Sequence, residues 1–170
     1  MTGIDLGLLW AAVPSDLGGG GGSGRLPSPL RVLVVEDEGL VALEIQVGLE
    51  VAGHEVVGVA EDVASAGALA RTERPDLALI DVRLARGESG LDVAADLTAL
   101  GVPCLFVTGN CPEGRGQGLA LGCLHKPFDE RQLTGAVAAA EALLHGRPLP
   151  RRLPMGLHLY VEGGTNSGGR

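Results

Sequence analysis

The chain reads as an α/β protein: a five-stranded parallel sheet of flavodoxin-like order 2-1-3-4-5, with helices on both faces. Three observations predict this. Short apolar runs alternate with helical-period segments along the middle of the chain. The apolar runs, such as VLVV at 32–35 and LALI at 77–80, carry no polar residue on either face, as strands covered on both sides require. Most of these runs end abruptly in polar or charged residues, and right-handed crossovers bring all such ends to one edge of the sheet.

The elements follow in order. Arg31 to Val35 is the first strand. Gly39 to Ala52 carries Leu40, Leu43, Val47 and Val51 at helical spacing and stops at Gly53. Glu55 to Ala60 is the second strand. Asp62 caps a helix to about Glu73, with Val63, Ala66, Leu69 and Ala70 on its inner face. Leu77 to Ile80 is the third strand and ends at Asp81. A helix opens at Ser89 or Gly90 and runs to Leu100, with Leu91, Ala94, Ala95 and Leu97 inward. Cys104 to Val107 is the fourth strand and Gly122 to His125 the fifth. Asp129 caps a last helix to about His145, carrying Leu133, Val137, Ala140 and Leu144. The fourth crossover, TGNCPEGRGQGLAL, holds Pro112, Gly114, Gly116 and Gly118. Each interior glycine costs a helix about 1 kcal/mol, so a weak helix or a loop is expected there.

Flanking segments differ in composition. Five consecutive glycines, Gly18 to Gly22, followed by Pro27 and Pro29, mark residues 1–29 as a flexible extension, with LGLLWAAV at 6–13 as a short apolar island. That island is too short to span a bilayer, and no Lys or Arg precedes it, so neither a membrane anchor nor a signal peptide is expected. Residues 146–170 hold Pro148, Pro150 and Pro154 and end in GGTNSGGR, a partly disordered tail by composition, with Arg147, Arg151 and Arg152 solvated.

Among 170 residues the net charge is −8 and aromatics are 2%, which argues against a nucleic-acid surface. Three cysteines, an odd number without CxxC spacing, fit a reduced, cytoplasmic protein. Cys104 and Cys123 fall in apolar stretches and read as small core residues. Cys111 falls in the loop. His54, His125 and His145 read as surface residues.

The strand ends collect the chemistry. Glu36 and Asp37 end the first strand, Asp81 the third and Thr108 the fourth; Lys126 and Pro127 follow the fifth. Carboxylates about 4 Å apart repel by roughly 4 kcal/mol at an effective dielectric near 20, so the cluster calls for a counter-charge. A hard divalent cation suits an all-oxygen site, and Mg²⁺ takes one or two carboxylates with water and phosphate oxygens. With Lys126 as a second cation, a central carboxylate can attack a phosphoryl group. Asp81 is the nucleophile, because the third strand is central and the acidic pair is left for metal. Glu38 reads as solvent-facing or helix-capping.

Residues 30–145 are similar to the receiver domain of two-component response regulators, single-domain type. The matching segments are VLVVEDE, PDLALIDVRL, LFVTGN and LHKPF, in that order. The resemblance implies that Asp81 is the phosphoacceptor. It gives Asp37 direct contact with Mg²⁺ and Glu36 contact through water, and offers the Arg83 backbone carbonyl as a further ligand. Thr108 and Lys126 become the switch hydroxyl and the phosphate-binding lysine, and Pro127 follows a cis peptide bond. FVTGN also resembles the FATGUY subgroup, with Asn110 and Cys123 standing where aromatics are usual. Switching is therefore expected through Thr108 and the 109–121 loop.

The implied function is acceptance of a phosphoryl group from a histidine kinase or phosphotransfer protein. Output would go to a downstream protein partner, or the protein would serve as a phosphate sink. It would catalyse only its own phosphorylation and dephosphorylation, with neither direct nucleic-acid contact nor membrane association. The alternative is a phosphorylation-independent binding module on the same fold. A dehalogenase-type phosphohydrolase fits poorly, because it wants DxD on the first strand where EDE stands. A flavin protein wants a phosphate loop there, and EDEGL is too acidic.

Overall fold

The computed structural model describes residues 29–114, 116 and 118–160. The expectations for the N-terminal extension, Pro29 apart, and for the last ten residues lie outside them. Five parallel strands form in the expected order, β2-β1-β3-β4-β5: β1 (Arg31–Val35), β2 (Glu55–Ala60), β3 (Leu77–Ile80), β4 (Cys104–Thr108) and β5 (Gly122–His125). Among the described residues, four α-helices connect or follow them: α1 (Gly39–Val51), α2 (Val63–Glu73), α3 (Gly90–Ala99) and α4 (Glu130–Leu144). Among the described residues of the fourth crossover no helix forms, as its glycine content requires.

The period of two along each strand divides the core. Val32 and Val34 of β1 and Leu77 and Leu79 of β3 face α1 and α4, where Ile45, Leu49, Leu133 and Val137 meet them. Leu33, Val35, Ala78 and Ile80 point the other way, onto Ala66 and Ala70 of α2 and Val93 and Leu97 of α3. Both expected acidic caps form. Asp62 accepts from Ser65 N at 2.7 Å and Asp129 from Gln132 N at 2.7 Å, each within a reciprocal capping box. Gly53 ends α1 at φ 89°, a conformation other residues rarely adopt.

Three expectations are corrected, and the helical-period residues of α1 prove to form its outer stripe. In α1 the buried residues are Ala42, Ile45, Gly48 and Leu49, while Leu40 and Val51 are 85% and 70% exposed and Leu43 and Val47 also face solvent. The helix carries two apolar stripes at the same spacing, and the one with small residues packs: a Cβ on Gly48 would stand 3.1 Å from Leu133 Cδ2. In α3, Val93 takes the buried place assigned to Ala95, which is exposed. His54 is half-buried, and its Nδ1 accepts from Leu30 N at 3.2 Å. Arg147 is not simply solvated: it pairs at 2.7 Å with Glu141, a carboxylate buried in α4.

The segment assigned to a tail, as far as it is described, also folds. Residues to Tyr160 return along the sheet and add β6 (Leu157–Leu159), antiparallel to β5. Its fit depends on Gly122, where a Cβ would lie 2.4 Å from the His158 carbonyl oxygen. Gly122→Ala is expected to lift β6 off the edge and to cost about 1–3 kcal/mol. Amide exchange should rise at His158 and Tyr160, the positions whose N–H groups face β5 (Tyr160 N donates to Leu121 O at 2.9 Å), and unchanged protection there would contradict this packing.

Candidate functional site

The C-terminal ends of β1, β3, β4 and β5 bring Glu36, Asp37, Asp81, Thr108 and Lys126 to one edge of the sheet. Parallel pairing sets Val35 beside Ile80 and Thr108 beside His125, so the residues that follow converge. A cleft of about 310 Å³ opens there, lined by Asp37, Glu38, Asp81, Arg83, Thr108 and Lys126, among others.

Lys126 is the hub. Its Nζ lies 2.6 Å from Glu36 Oε2 and 2.7 Å from Asp81 Oδ2, donating to both. The peptide bond to Pro127 is cis. The remaining carboxylate oxygens are held by backbone: Arg83 N donates to Asp81 Oδ1 at 3.0 Å, and Glu38 N to Glu36 Oε1 at 3.1 Å. Glu36 is 1% exposed and Asp81 7%. Burial pushes the Glu36 carboxyl up from its ordinary value, although Lys126 pulls the other way. Burial alone would lower the Lys126 ammonium, yet its bonds to Asp81 and Glu36 leave it raised. The cation therefore stays charged and shared between two carboxylates.

Thr108 is 1% exposed, and its Oγ1 has no hydrogen-bond partner among the described residues. A buried hydroxyl without a partner is uncommon and points to one supplied in another state. Glu38 stands at the N-cap of α1 without capping through its side chain and is solvent-facing. His125 is exposed beside the cleft, as expected.

The donor set fits Mg²⁺. Asp37 and Asp81 line the cleft as hard oxygen donors, and Arg83 is placed there by the bond from its own N–H. Glu36 has one oxygen on Lys126 and the other on the Glu38 backbone N–H. Among the described residues no three His, Cys, Asp or Glu converge as a complete protein cage. Two carboxylates completed by water and phosphate oxygens is the Mg²⁺ pattern.

Two features escaped the sequence reading. Leu84 and Ala85, in the turn after Arg83, form part of the cleft wall. Cys123, expected as a reduced core residue, is instead bonded to Cys111, with Cα atoms 5.9 Å apart. The adjacency of β4 and β5 allows this, because it brings together residues that follow Thr108 and precede Lys126. Cys104 keeps its thiol in the core, where burial pushes it up to about 12.

Comparison with known proteins agrees with this geometry. The family model for the response regulator receiver domain matches residues 32–138. The phyllosphere-induced regulator PhyR of Methylorubrum extorquens is 42% identical over 80 residues, which cover 46% of this chain and 30% of that protein. The transcriptional regulatory protein PdtaR of Mycobacterium tuberculosis is 32% identical over 117 residues, 66% of this chain and 57% of that protein. The chain thus spans little more than half of these relatives at most. Among solved structures, the signal receiver domain of a modulated diguanylate cyclase from Desulfovibrio desulfuricans G20 superposes with a TM-score of 0.62 at 30% identity. That match covers 69% of this chain and 98% of the other.

Proposed function

The chain belongs to the family of response regulator receiver domains, and on that premise we propose that Asp81 accepts a phosphoryl group from a histidine kinase or phosphotransfer protein in the cytoplasm. The observation that carries this reading is the Lys126 ammonium held between Asp81 and Glu36 at the mouth of the cleft. Asp81 presents a carboxylate oxygen whose charge is balanced by a cation that can follow the phosphoryl group. Lys126 sits on a flexible stem, so it can leave the carboxylates and hold a phosphoryl oxygen. The Thr108 hydroxyl then gains the partner it lacks by donating to another of those oxygens. Asp37, Asp81 and the Arg83 carbonyl would hold Mg²⁺, with Glu36 acting through water, and the bound ion would neutralise phosphoryl charge. The protein catalyses only its own phosphorylation and dephosphorylation.

Incubation with acetyl phosphate and Mg²⁺ tests this. One phosphoryl mass should be gained by the wild type, lost on chelation, and absent from Asp81→Asn. No gain by the wild type, or equal labelling of the variant, refutes it.

The outer stripe of α1 supports a place for the phosphoryl donor. Leu40, Leu43, Val47 and Val51 line an apolar depression with Phe128 and Leu133, and Leu40 lies three residues from Asp37. An exposed apolar patch of this kind, close along α1 to the acidic site, marks a protein contact. Leu43→Glu should cut transfer from a phosphorylated kinase about tenfold while leaving labelling by acetyl phosphate intact. Equal loss with both donors would show that the stripe acts on folding and not on docking. Output follows by protein–protein contact or by phosphate sinking. No helix among the described residues is long and apolar enough to cross a membrane.

A further inference from the structure

The disulfide lies within the span of chain that joins two site residues. Cys111 follows Thr108 by three residues, and Cys123 precedes Lys126 by three. The bond closes a glycine-rich loop, with a sequence separation of 12, in place of the missing helix. We propose that Cys111 and Cys123 form a reversible clasp, opened by a thiol reductant, that sets how freely the Thr108 end of the site responds to phosphorylation.

Four observations support it. Residues 109–114 contain no regular element, and past the end of β4 at Thr108 the first link that ties them back to the sheet is the covalent one at Cys111, followed by the Tyr160 hydroxyl donating to Pro112 O at 3.3 Å. Gly109 and Asn110, between Thr108 and that anchor, are exposed, so packing does little to hold them. The Thr108 hydroxyl must find its partner from a buried position, and a backbone pinned three residues away restricts that movement. The β5 side of the loop is held independently, with Thr98 Oγ1 donating to Leu119 O at 3.2 Å. Opening the bond therefore frees the segment next to Thr108 and leaves the β5 side in place.

The two sulfurs differ in access. Cys111 is half-buried and Cys123 fully buried, so an incoming thiolate meets Cys111 Sγ. It forms a mixed disulfide there, and Cys123 leaves as a thiolate and takes up a proton. A second thiolate attacks the reductant's sulfur in the mixed disulfide and releases Cys111, which is protonated in turn. Two electrons pass to the protein and the reductant ends as its disulfide. Oxidised glutathione or an oxidised dithiol protein reverses the sequence. In a cytoplasmic signalling protein a disulfide is ordinarily transient and redox-sensing, which is the role assigned here. Cys104, with its thiol pushed up to about 12, takes no part.

The coupling to phosphorylation rests on the phosphoacceptor reading; the clasp itself does not, and the test separates them. The full chain is equilibrated in buffers of reduced and of oxidised glutathione. Pairing is counted by alkylation and intact mass. Amide exchange is then measured over residues 109–114, and labelling by acetyl phosphate with Mg²⁺ is followed in each form. Reduction should raise exchange in 109–114 about tenfold while leaving β1 and β3 unchanged. It should change the labelling rate at least about fivefold, the lower end of couplings between linked sites. Cys111→Ser should behave as the reduced form in both buffers. A pair that stays reduced in excess oxidised glutathione overturns the clasp, as does equal exchange in the two forms. Equal labelling of two forms that differ in exchange overturns the coupling. Labelling of neither form removes the phosphoacceptor reading, and exchange alone then decides the clasp.

Discussion

Lys126→Ala is expected to destabilise the protein by about 3 kcal/mol at neutral pH without divalent cations. Among the described residues the lysine is the sole side-chain partner of two buried carboxylates, Glu36 and Asp81, at 2.6 and 2.7 Å. Removing it leaves both to repel each other where burial limits screening by water. The loss should also depend on pH, in a definite direction. Burial already holds the Glu36 carboxyl above its ordinary value of 4.5, and without the lysine it rises further. A group whose folded-state pKa lies above its unfolded one binds more protons when folded. The stability of the variant must therefore fall as pH rises from 4.5 through the raised value. Urea melts at pH 5 and pH 8 should show a larger gap from wild type at pH 8. Labelling by acetyl phosphate should fall about a hundredfold, as for removal of a donor aimed at developing charge. Lys126→Arg should not restore it, because a bulkier planar guanidinium does not fit the place of a compact ammonium held 2.6 and 2.7 Å from two oxygens. Wild-type stability across that range would show that the lysine does not carry the acidic cluster.

Gly90→Ala should be nearly as damaging, although it touches no charged group. Gly90 begins α3 and donates from its N to Val82 O at 2.8 Å. A Cβ there would stand 2.0 Å from the Asp81 carbonyl oxygen and 2.8 Å from the Asp81 carbonyl carbon. Both obstacles are backbone, so no rotamer change relieves them. Either the helix or the strand end that carries Asp81 must shift, at a cost of about 3 kcal/mol. Labelling should fall further than stability alone accounts for, since in-line transfer is sensitive to displacements of about 1 Å. A melt equal to wild type would mean that α3 and the end of β3 can part without penalty.

The site was legible because its logic lies in strand ends. Apolar runs that stop at Glu36, Asp81 and Thr108, or lead into Lys126, must share an edge once the sheet is parallel, and all four meet there. What stayed hidden depends on packing rather than pattern. Both stripes of α1 have helical spacing, and the less hydrophobic one is buried because Ala42 and Gly48 let the helix approach its neighbours. Nothing in residues 146–160 has strand composition except the three residues LHL, and β6 forms only because the edge of β5 is free to receive them. The Cys111–Cys123 bond requires knowing that β4 and β5 are neighbours, which cysteine counting does not supply. The constraint at Gly90 is steric and carries no signal in charge or hydropathy.

The central claim is that one particular carboxylate takes the phosphoryl group. Borohydride reduction of the labelled protein, followed by peptide mass analysis, tests it most directly, because an aspartyl phosphate is reduced to homoserine at the residue that carried it. The account predicts homoserine at position 81 and nowhere else. Reduction product at Glu36 or Asp37, or none in protein that carries a phosphoryl mass, would contradict it.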